Sequence, residues 1–283
     1  MQLSVIIVNY NSKHLLENCL FSVQKAIQQV RSEIIVVDNN STDGSKESLA
    51  PQFHEVKFVF NEKNVGFAKA CNQGFKNSSG RYVLFLNPDT ILSETSLTDC
   101  ISFFETHADA GAIGVRMIDG DGNFLKESKR GEPTPSASFF KLFGLASIFP
   151  KTKTFAKYYE GHLPEQENNA VEVLSGAFMM VRREVFEKVN GFDEDFFMYG
   201  EDIDLSVRIN RSGYKNYYLG KIRVTHLKGG STTFDATYVK DFFGAMKLFV
   251  KKHYSDRSSL YISFLMAGIN FRKMLATVGL LFR

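Results

Sequence analysis

The stretch FMYGEDIDLSVRIN places three carboxylates, Glu201, Asp202 and Asp204, within four positions directly behind a glycine. The apolar spacing that follows predicts an amphipathic helix beginning near Glu201, with the acids in its first turn. The free N–H groups and the dipole of a helix N-terminus stabilise anions, which explains one or two of the acids better than three. The apolar residues 196–199 before them indicate a dry cleft, where an aspartate among like charges could act as a general base.

Polar residues also follow four apolar segments that predict strands. Residues 5–8, 34–37, 56–60 and 82–86 alternate with helical patterns. This order predicts a parallel sheet covered by helices, and ligands of such sheets bind beyond the carboxyl ends of the strands. The residues at those four ends are 9–11, 38–40, 61–64 and 87–89.

Two of these polar positions, and His226 further along the chain, each have two interpretations. Asp38 could bind a nucleobase or ribose, or could form a turn with Asp43 that caps the next helix. Asp89 could bind a divalent cation, or could cap a helix or turn. His226 could complete a cation site or be an ordinary half-buried histidine, and the Gly-rich loop at 229–231 suits either a phosphate or a plain turn.

The composition fits one large globular domain or two small ones in 283 residues, and the net charge of +3 is too small to indicate a nucleic-acid partner. Cys19, Cys71 and Cys100 lie far apart, without the short spacings of metal or redox sites, which indicates a reducing, cytoplasmic setting. The N-terminus lacks a basic leader, so we expect no signal peptide. Arg272 and Lys273 interrupt the most apolar stretch, which makes it a poor membrane span.

The C-terminal region predicts a basic amphipathic helix. Lysine and arginine outnumber acidic residues in 238–283. The residues on its apolar face are Phe242, Phe243, Met246, Phe249 and Val250. Such a helix could lie in a membrane surface, or could pack on the domain or on a dimer partner.

Six motifs in order, followed by His226, resemble the inverting nucleotide-sugar glycosyltransferases of GT-A fold, family 2 type, in their rhamnosyltransferase-like branch. The motifs are VIIVNYNS, VVDNNSTDGS, NVGFAKACNQG, LFLNPD, SGAFMMVRREVF and GFDEDFFMYGEDIDLSVR. The resemblance implies an α/β, Rossmann-like fold with a mixed, mainly parallel sheet flanked by helices and a C-terminal helical extension. It also implies a transferase domain at 1–230, with a nucleotide-binding half at 1–118 and an acceptor and catalytic half at 119–230, and a helical tail at 231–283.

The resemblance also implies roles for individual residues. Asp202 would be the catalytic base, and Glu201 would orient the acceptor or the base. Asp89 and His226 would bind a Mg²⁺ or Mn²⁺ ion on the diphosphate, and Asn87 replaces the first acid of the family's metal motif, so the ion would have one carboxylate fewer. The implied nucleotide-binding residues are Asn9, Tyr10, Asn11, Asp38, Asn40, Gly66, Phe67, Asn72, Asn87 and Asp89. The implied acceptor-binding residues are Gly176, Tyr199 and Gly200.

The branch implies inverting transfer of rhamnose from dTDP-rhamnose to a hydroxyl of a saccharide or lipid-linked saccharide in cell-surface polysaccharide synthesis. A UDP-hexose or UDP-N-acetylhexosamine donor stays open, because thymine and uracil present the same N3–H edge to Asp38. A catalytically silent nucleotide-binding protein also stays open, whereas a nucleotidyltransferase is disfavoured because no Gly-rich basic loop follows the first strand. We expect a cytoplasmic protein, peripheral at the inner face of the plasma membrane, with a homodimer left open.

Overall fold

The computed structural model describes residues 1–134, 152, 157–227 and 235–280. The strands are β1 (Leu3–Asn9), β2 (Ser32–Asp38), β3 (Val56–Phe60), β4 (Tyr82–Leu86), β5 (Thr90–Ile91), β6 (Ala110–Ile118), β7 (Lys129–Arg130), β8 (Asn168–Val171), β9 (Val173–Leu174), β10 (Phe178–Arg182) and β11 (Lys215–His226). The helices are α1 (Lys13–Ala26), α2 (Ser45–Gln52), α3 (Phe67–Lys76), α4 (Ser96–Thr106), α5 (Arg183–Lys188), α6 (Glu201–Arg211), α7 (Ala236–His253) and α8 (Ser259–Leu280), and short 3₁₀ turns lie at Lys126–Ser128 and Lys157–Tyr159.

One mixed sheet carries both halves of the predicted transferase domain. Its strand order is β3-β2-β1-β4-β10-β6-β11-β5, and β8 also pairs with β11. The ladders among β1 to β4 and between β6 and β11 are parallel and long, whereas β10 runs antiparallel to both β4 and β6. This arrangement confirms the predicted class, a mainly parallel sheet. Because β10 lies between β4 and β6, the halves 1–118 and 119–230 share one sheet.

The core lies on both faces of this sheet. Leu3, Val5 and Ile7 pack with α1 and α4 on one face, while Ile6 and Val8 pack with α3 on the other. All residues of β1 and β4 are therefore buried, as expected for strands covered by helices on both sides. Each fully buried aliphatic side chain contributes about 1.5–3 kcal/mol to folding.

The predicted local elements agree with the structure, except near the end of the sheet. The four predicted strands of the first half are present. The sequence Asp119-Gly120-Asp121-Gly122 predicts a hairpin turn, which is confirmed by the hydrogen bond from Asp121 N to Asp119 Oδ1 and by Gly122 with φ +86°. The apolar residues near 214–219 and 222–225 predict two strands, and this prediction was wrong, because the structure has one continuous strand there. A register shift between Leu219 and Arg223 interrupts the ladder of β11 with β6, but the strand continues to His226.

The tail helices pack on the domain. Phe243, Phe249 and Val250 of α7 are buried in a cluster with Phe196 and Val207, on and just before α6. The apolar face of α7 is therefore part of the fold, as the packed-helix interpretation expected, and it is not free to lie in a membrane. Within the described part of the chain, none of the helices combines the length and apolar character needed to span a bilayer.

Candidate active site

Asp38 ends β2 beside the end of β1 and is held by a small polar network. Its Oδ2 accepts a hydrogen bond from Asn9 Nδ2 at 2.7 Å, and its Oδ1 accepts one from Ser41 N at 2.8 Å. The pairing of Asn9 with Asp38 follows from the parallel register of the two strands. Both interpretations of Asp38 therefore remain, since the carboxylate lies at the ligand edge and also closes the turn at Ser41.

The residues beside Asp38 separate into buried and accessible ones. The Asn9 side chain is fully buried and orients Asp38 through its hydrogen bond, and its expected contact with a nucleotide stays a prediction. Tyr10 is half exposed, and Asn11 and Asn40 have left-handed backbones at φ 51° and 65°. Asn11 Oδ1 accepts a hydrogen bond from Thr42 N at 2.7 Å, which joins the loops after β1 and β2.

Asp89 and His226 meet because β5 pairs with the end of β11. The register places His226 opposite Thr90, and His226 Nε2 lies 3.1 Å from Asp89 Oδ1. Both side chains are buried, and their 3.1 Å contact is an ion-pair contact without hydrogen-bond geometry, so Asp89 Oδ1 and His226 Nδ1 make no hydrogen bond with any described residue. Such atoms are costly to bury unpaired, and a carboxylate oxygen beside an imidazole nitrogen suits a divalent cation.

Asp89 and His226 offer a cation few protein ligands. Among the described residues, no group of three or more His, Cys, Asp or Glu side chains could hold a metal. One reason is Asn87, whose carboxamide replaces the first carboxylate of the family's metal motif. Asp89 and His226 therefore fit a cation whose remaining ligands come from a bound substrate. The Gly-rich loop at 229–231 lies outside the described residues.

Asp202 lies at the start of α6, against the turn between β9 and β10. The helix begins after two consecutive left-handed residues, Tyr199 at φ 67° and Gly200 at φ 81°. Asp202 Oδ2 accepts hydrogen bonds from Gly176 N at 3.0 Å and from Arg130 Nη2 at 2.5 Å. Arg130 was not predicted from the sequence, where only the basic pair Lys129-Arg130 marked it.

The turn at 175–177 links Asp202 to the segment that contains Asp89. Gly176 N binds Asp202, and the carbonyl of the next residue, Ala177, accepts a hydrogen bond from Asn87 N at 3.0 Å. A Cβ on Gly176 would lie 3.2 Å from the Asp202 Cβ, so the small residue permits this close contact. Asp202 and the Asn87–Asp89 segment therefore flank the same two residues.

The other two acids of the cluster have different environments. Glu201 is buried with Oε2 unpaired, and burial together with the Asp202 charge raises the pKa of Glu201 to about 8. Asp204 is buried but pairs with His253 Nε2 at 2.7 Å and with Arg208. Burial alone would raise the pKa of Asp204, but these two hydrogen bonds outweigh it and lower the pKa.

Two predicted nucleotide-binding residues serve the chain before α6 instead. Gly66 has φ +89°, and a Cβ there would lie 2.6 Å from the Phe197 carbonyl oxygen, so its close approach is to protein and not to a ligand. Asn72 Nδ2 donates to Phe192 O at 2.9 Å, and Asn72 Oδ1 accepts from Phe192 N at 3.0 Å. Asn72 thereby clamps the segment that leads to α6.

Two aromatic rings near the site are occupied by packing. Phe67 contacts the Phe192 ring, and Tyr199 packs edge-on against Tyr238 and Phe242 of α7. Their expected ligand contacts stay predictions.

This fold, a mixed sheet with acidic groups at the carboxyl ends of its strands and a helix with carboxylates in its first turn beside them, is that of the GT-A glycosyltransferases. Residues 4–189 match the model for glycosyl transferase family 2, and residues 165–234 match one described as the N-terminal domain of galactosyltransferase. The chain belongs to glycosyl transferase family 2 and is a glycosyltransferase.

Two rhamnosyltransferases are among its relatives. An N-acetylglucosaminyl-diphospho-decaprenol L-rhamnosyltransferase of Mycobacterium tuberculosis is 28% identical over 241 residues, which cover 81% of this chain and 77% of the relative. The rhamnosyltransferase WbbL of Escherichia coli is 31% identical over 172 residues, covering 60% of this chain and 61% of the relative.

Two solved structures share the fold. The mannosyltransferase PcManGT from Pyrobaculum calidifontis, in complex with GDP-Man and Mn²⁺, aligns with a TM-score of 0.63 at 17% identity, over 97% of this chain and 71% of that one. Staphylococcus aureus TarS 1-349, in complex with UDP-GlcNAc, aligns with a TM-score of 0.61 at 19% identity, over 95% of this chain and 71% of that one.

Proposed function

We propose that this glycosyltransferase transfers a sugar with inversion and that Asp202 is its general base. The observation that carries the proposal is the position of Asp202, whose carboxylate shares the 175–177 turn with the Asn87–Asp89 segment. A base there takes the proton of an acceptor hydroxyl as the hydroxyl oxygen attacks the anomeric carbon, opposite the departing nucleoside diphosphate. One displacement of this kind inverts the anomeric centre.

For the donor, we propose dTDP-rhamnose. The two rhamnosyltransferase relatives support this choice over other nucleotide sugars. Asp38 is the proposed contact to the N3–H of the base, and thymine and uracil offer it the same edge. UDP-hexose and UDP-N-acetylhexosamine are therefore the second candidates, and TarS, crystallised with UDP-GlcNAc, supports keeping them in a donor panel.

For the cofactor, we propose Mg²⁺ or Mn²⁺ held by Asp89 and His226. The unpaired buried atoms Asp89 Oδ1 and His226 Nδ1 support this assignment, and two fold neighbours were crystallised with Mn²⁺. When bound, the cation would stabilise the negative charge of the leaving diphosphate. The neutral Asn87 leaves Asp89 as the only carboxylate of that loop, so the protein holds the cation weakly until the diphosphate is present.

For the acceptor, we propose a saccharide linked to a lipid diphosphate, used in cell-surface polysaccharide synthesis. The name of the mycobacterial relative specifies such an acceptor for that protein. Gly176 contacts Asp202 in space and Gly200 lies two positions before it in sequence, which supports the expectation that the acceptor binds beside these glycines.

A cytoplasmic setting is supported by the three cysteines, all of them buried and unpaired.

For membrane contact, we propose an apolar stripe on α8, at the inner face of the plasma membrane. The exposed members of this stripe are Leu260, Phe264, Phe271, Met274, Leu275 and Val278. They recur at helical spacing on the side opposite Ile269, which packs against α7. α8 contains no acidic residue, and Arg272 is exposed beside the stripe. If two copies of the chain paired through their α8 stripes, only positive charges would meet at the edge of the contact. Anionic lipid headgroups would instead complement these charges, which favours a membrane as the partner.

The base is tested with Asp202→Asn, and Asp121→Asn in the exposed turn after β6 is the matched control. We expect transfer from dTDP-rhamnose to fall about 10²–10⁴-fold in Asp202→Asn, with dTDP affinity nearly unchanged, because the base acts only on the acceptor proton. Wild-type rates in Asp202→Asn would end the mechanistic proposal, and binding of nucleotides without turnover of any donor would favour the silent-protein alternative.

The cation site is tested in the same binding assay with Asp89→Ala. This variant should weaken dTDP binding in the presence of Mn²⁺ about tenfold or more, and should leave binding unchanged in the presence of a chelator.

A further inference from the structure

The two oxygens of the Asp202 carboxylate differ in the hydrogen bonds they accept. Oδ2 accepts two, from Arg130 Nη2 and from Gly176 N. Oδ1 accepts one, from Ile203 N at 2.8 Å. Each carboxylate oxygen has two lone pairs, so Oδ2 is fully used and Oδ1 has one lone pair left.

Arg130 is anchored independently of Asp202. Its Nη2 also donates to the Leu174 carbonyl at 2.8 Å, and its backbone pairs with Val173 in the ladder of β7 with β9. The guanidinium is almost entirely buried, with 13% of the side chain exposed. The strand pair therefore presents a fixed cation to Asp202, and this arrangement costs little further ordering when substrates bind.

We propose that Arg130 is a positioning residue that supplies the positive charge beside the Asp202 carboxylate and directs the acceptor proton to Asp202 Oδ1. The inference rests on the proposed role of Asp202 as the base. In the step, the acceptor O–H bond breaks and its proton goes to Oδ1. The acceptor oxygen forms a bond to the anomeric carbon, and the bond from that carbon to the diphosphate oxygen breaks, with the electron pair leaving on the diphosphate.

The charges around Asp202 explain why a cation is needed there. Glu201 and Asp204 lie in the first turn of α6 with Asp202, and Arg130 is the cation that pairs with the Asp202 carboxylate. Glu127 and Tyr158 lie close enough to Arg130 to act on its charge. Burial, the largest effect, disfavours the charged guanidinium, but the charge and hydrogen bond of Asp202 together with Tyr158 and Glu127 outweigh it and raise the pKa of Arg130. Because Asp202 and Glu201 interact, the fall of kcat/KM at low pH, called the acid limb below, reports the titration of both carboxylates together.

The test is the pH dependence of kcat/KM for transfer from dTDP-rhamnose to a short-chain prenyl-diphospho-N-acetylglucosamine. Arg130→Gln removes the charge and keeps a donor, Arg130→Lys keeps the charge, and Arg223→Gln on the exposed surface of β11 is the matched control. We expect Arg130→Gln to move the acid limb upward by about one pH unit or more, with activity recovering above it, because the loss of an opposite charge raises the proton affinity of a carboxylate. Arg130→Lys should move the limb less, and Arg223→Gln should not move it.

A purely structural role for Arg130 would lower the rate at every pH and leave the limb in place in both Arg130 variants, which would overturn the inference. Affinity for dTDP and the melting temperature of each variant report whether it is folded. Should Arg130→Gln not fold, Arg130→Met, which also removes the charge, decides, since a wild-type limb with a lower rate at all pH values in that variant contradicts the inference. Full activity of Asp202→Asn would instead refute the proposed function, while an inactive Asp202→Asn with an unshifted Arg130→Gln limb would refute only this inference.

Discussion

Three close carboxylates coexist at the start of α6 because each has a different partner. Asp202 is neutralised by Arg130, and Asp204 by Arg208, with a further hydrogen bond from His253. Glu201 has no cationic hydrogen-bond partner among the described residues and is protonated at neutral pH, since burial together with the Asp202 charge raises its pKa to about 8. The segment therefore avoids the repulsion that three adjacent charges would produce.

Glu201 should make the stability of the protein fall as the pH rises through neutrality. Its pKa is about 8 in the folded protein against an ordinary 4.5, so the folded state binds the extra proton between these values. The stabilisation by Glu201 is fully present below the unfolded pKa and is lost as the pH rises to the folded pKa. Between the two, the free energy of unfolding falls by at most about 1.4 kcal/mol per pH unit. Urea unfolding at about pH 5, 7 and 9 should show that Glu201→Gln, which cannot ionise, removes part of this loss.

The control for this measurement is Glu94→Gln, which changes an exposed carboxylate of the same type. It should leave the pH dependence of the wild-type protein in place. Equal pH slopes for Glu201→Gln and the wild type would contradict a protonated Glu201.

At the scale of elements, Gly66 links the loop before α3 to the chain that enters α6. Gly66→Ala should cost the strain of an alanine at φ 89° and ψ 167°, a region essentially confined to glycine, which is about 1–3 kcal/mol, plus a clash with the Phe197 carbonyl 2.6 Å from the new Cβ. The clash can be relieved only by moving residues that lead to Glu201 and Asp202. We expect a lower free energy of unfolding and reduced transfer activity.

Gly122→Ala is the matched control for Gly66→Ala. Gly122 has φ +86° and nothing within 4 Å of its missing Cβ, so it pays the backbone strain alone. Denaturant titration should therefore show the smaller loss for Gly122→Ala, with activity retained. Equal losses in the two variants would mean that the contact with Phe197 does not position α6.

Local patterns were enough to predict most elements, but not all of the site. Apolar periodicity predicted the strands of the first half, and their polar carboxyl ends marked Asp38 and Asp89. Burial decided the remaining roles, because Asn9 and Asn72 have the same side chain as exposed asparagines and differ only in what surrounds them. Arg130 was missed because its contact with Asp202 spans 72 residues, and no local spacing encodes that distance.

At the scale of the whole molecule, the C-terminal helices are connected to α6. His253 of α7 pairs with Asp204 of α6, and Arg211 Nη1 lies 3.0 Å from His253 Nδ1. An arginine can only donate, so His253 Nε2 carries the proton that is shared with Asp204. The amphipathic pattern of α7 could be predicted from the sequence. The sequence could not predict what covers the apolar face of α7, because packing on a domain and binding to a membrane both require the same periodicity of apolar residues.

The α8 stripe gives the last prediction. Phe264→Ser with Phe271→Ser should reduce flotation with vesicles of anionic phospholipid about tenfold or more, since each buried phenylalanine contributes about 1.5–3 kcal/mol. Phe21→Ser with Phe60→Ser, which changes two exposed rings of the nucleotide-binding half, is the matched control and should float like the wild type. Flotation should also weaken with added salt, because headgroup attraction to Arg272 is screened. Unchanged flotation of the α8 variant would exclude the stripe as the lipid contact, and a loss of concentration-dependent self-association in that variant would assign the stripe to a second copy.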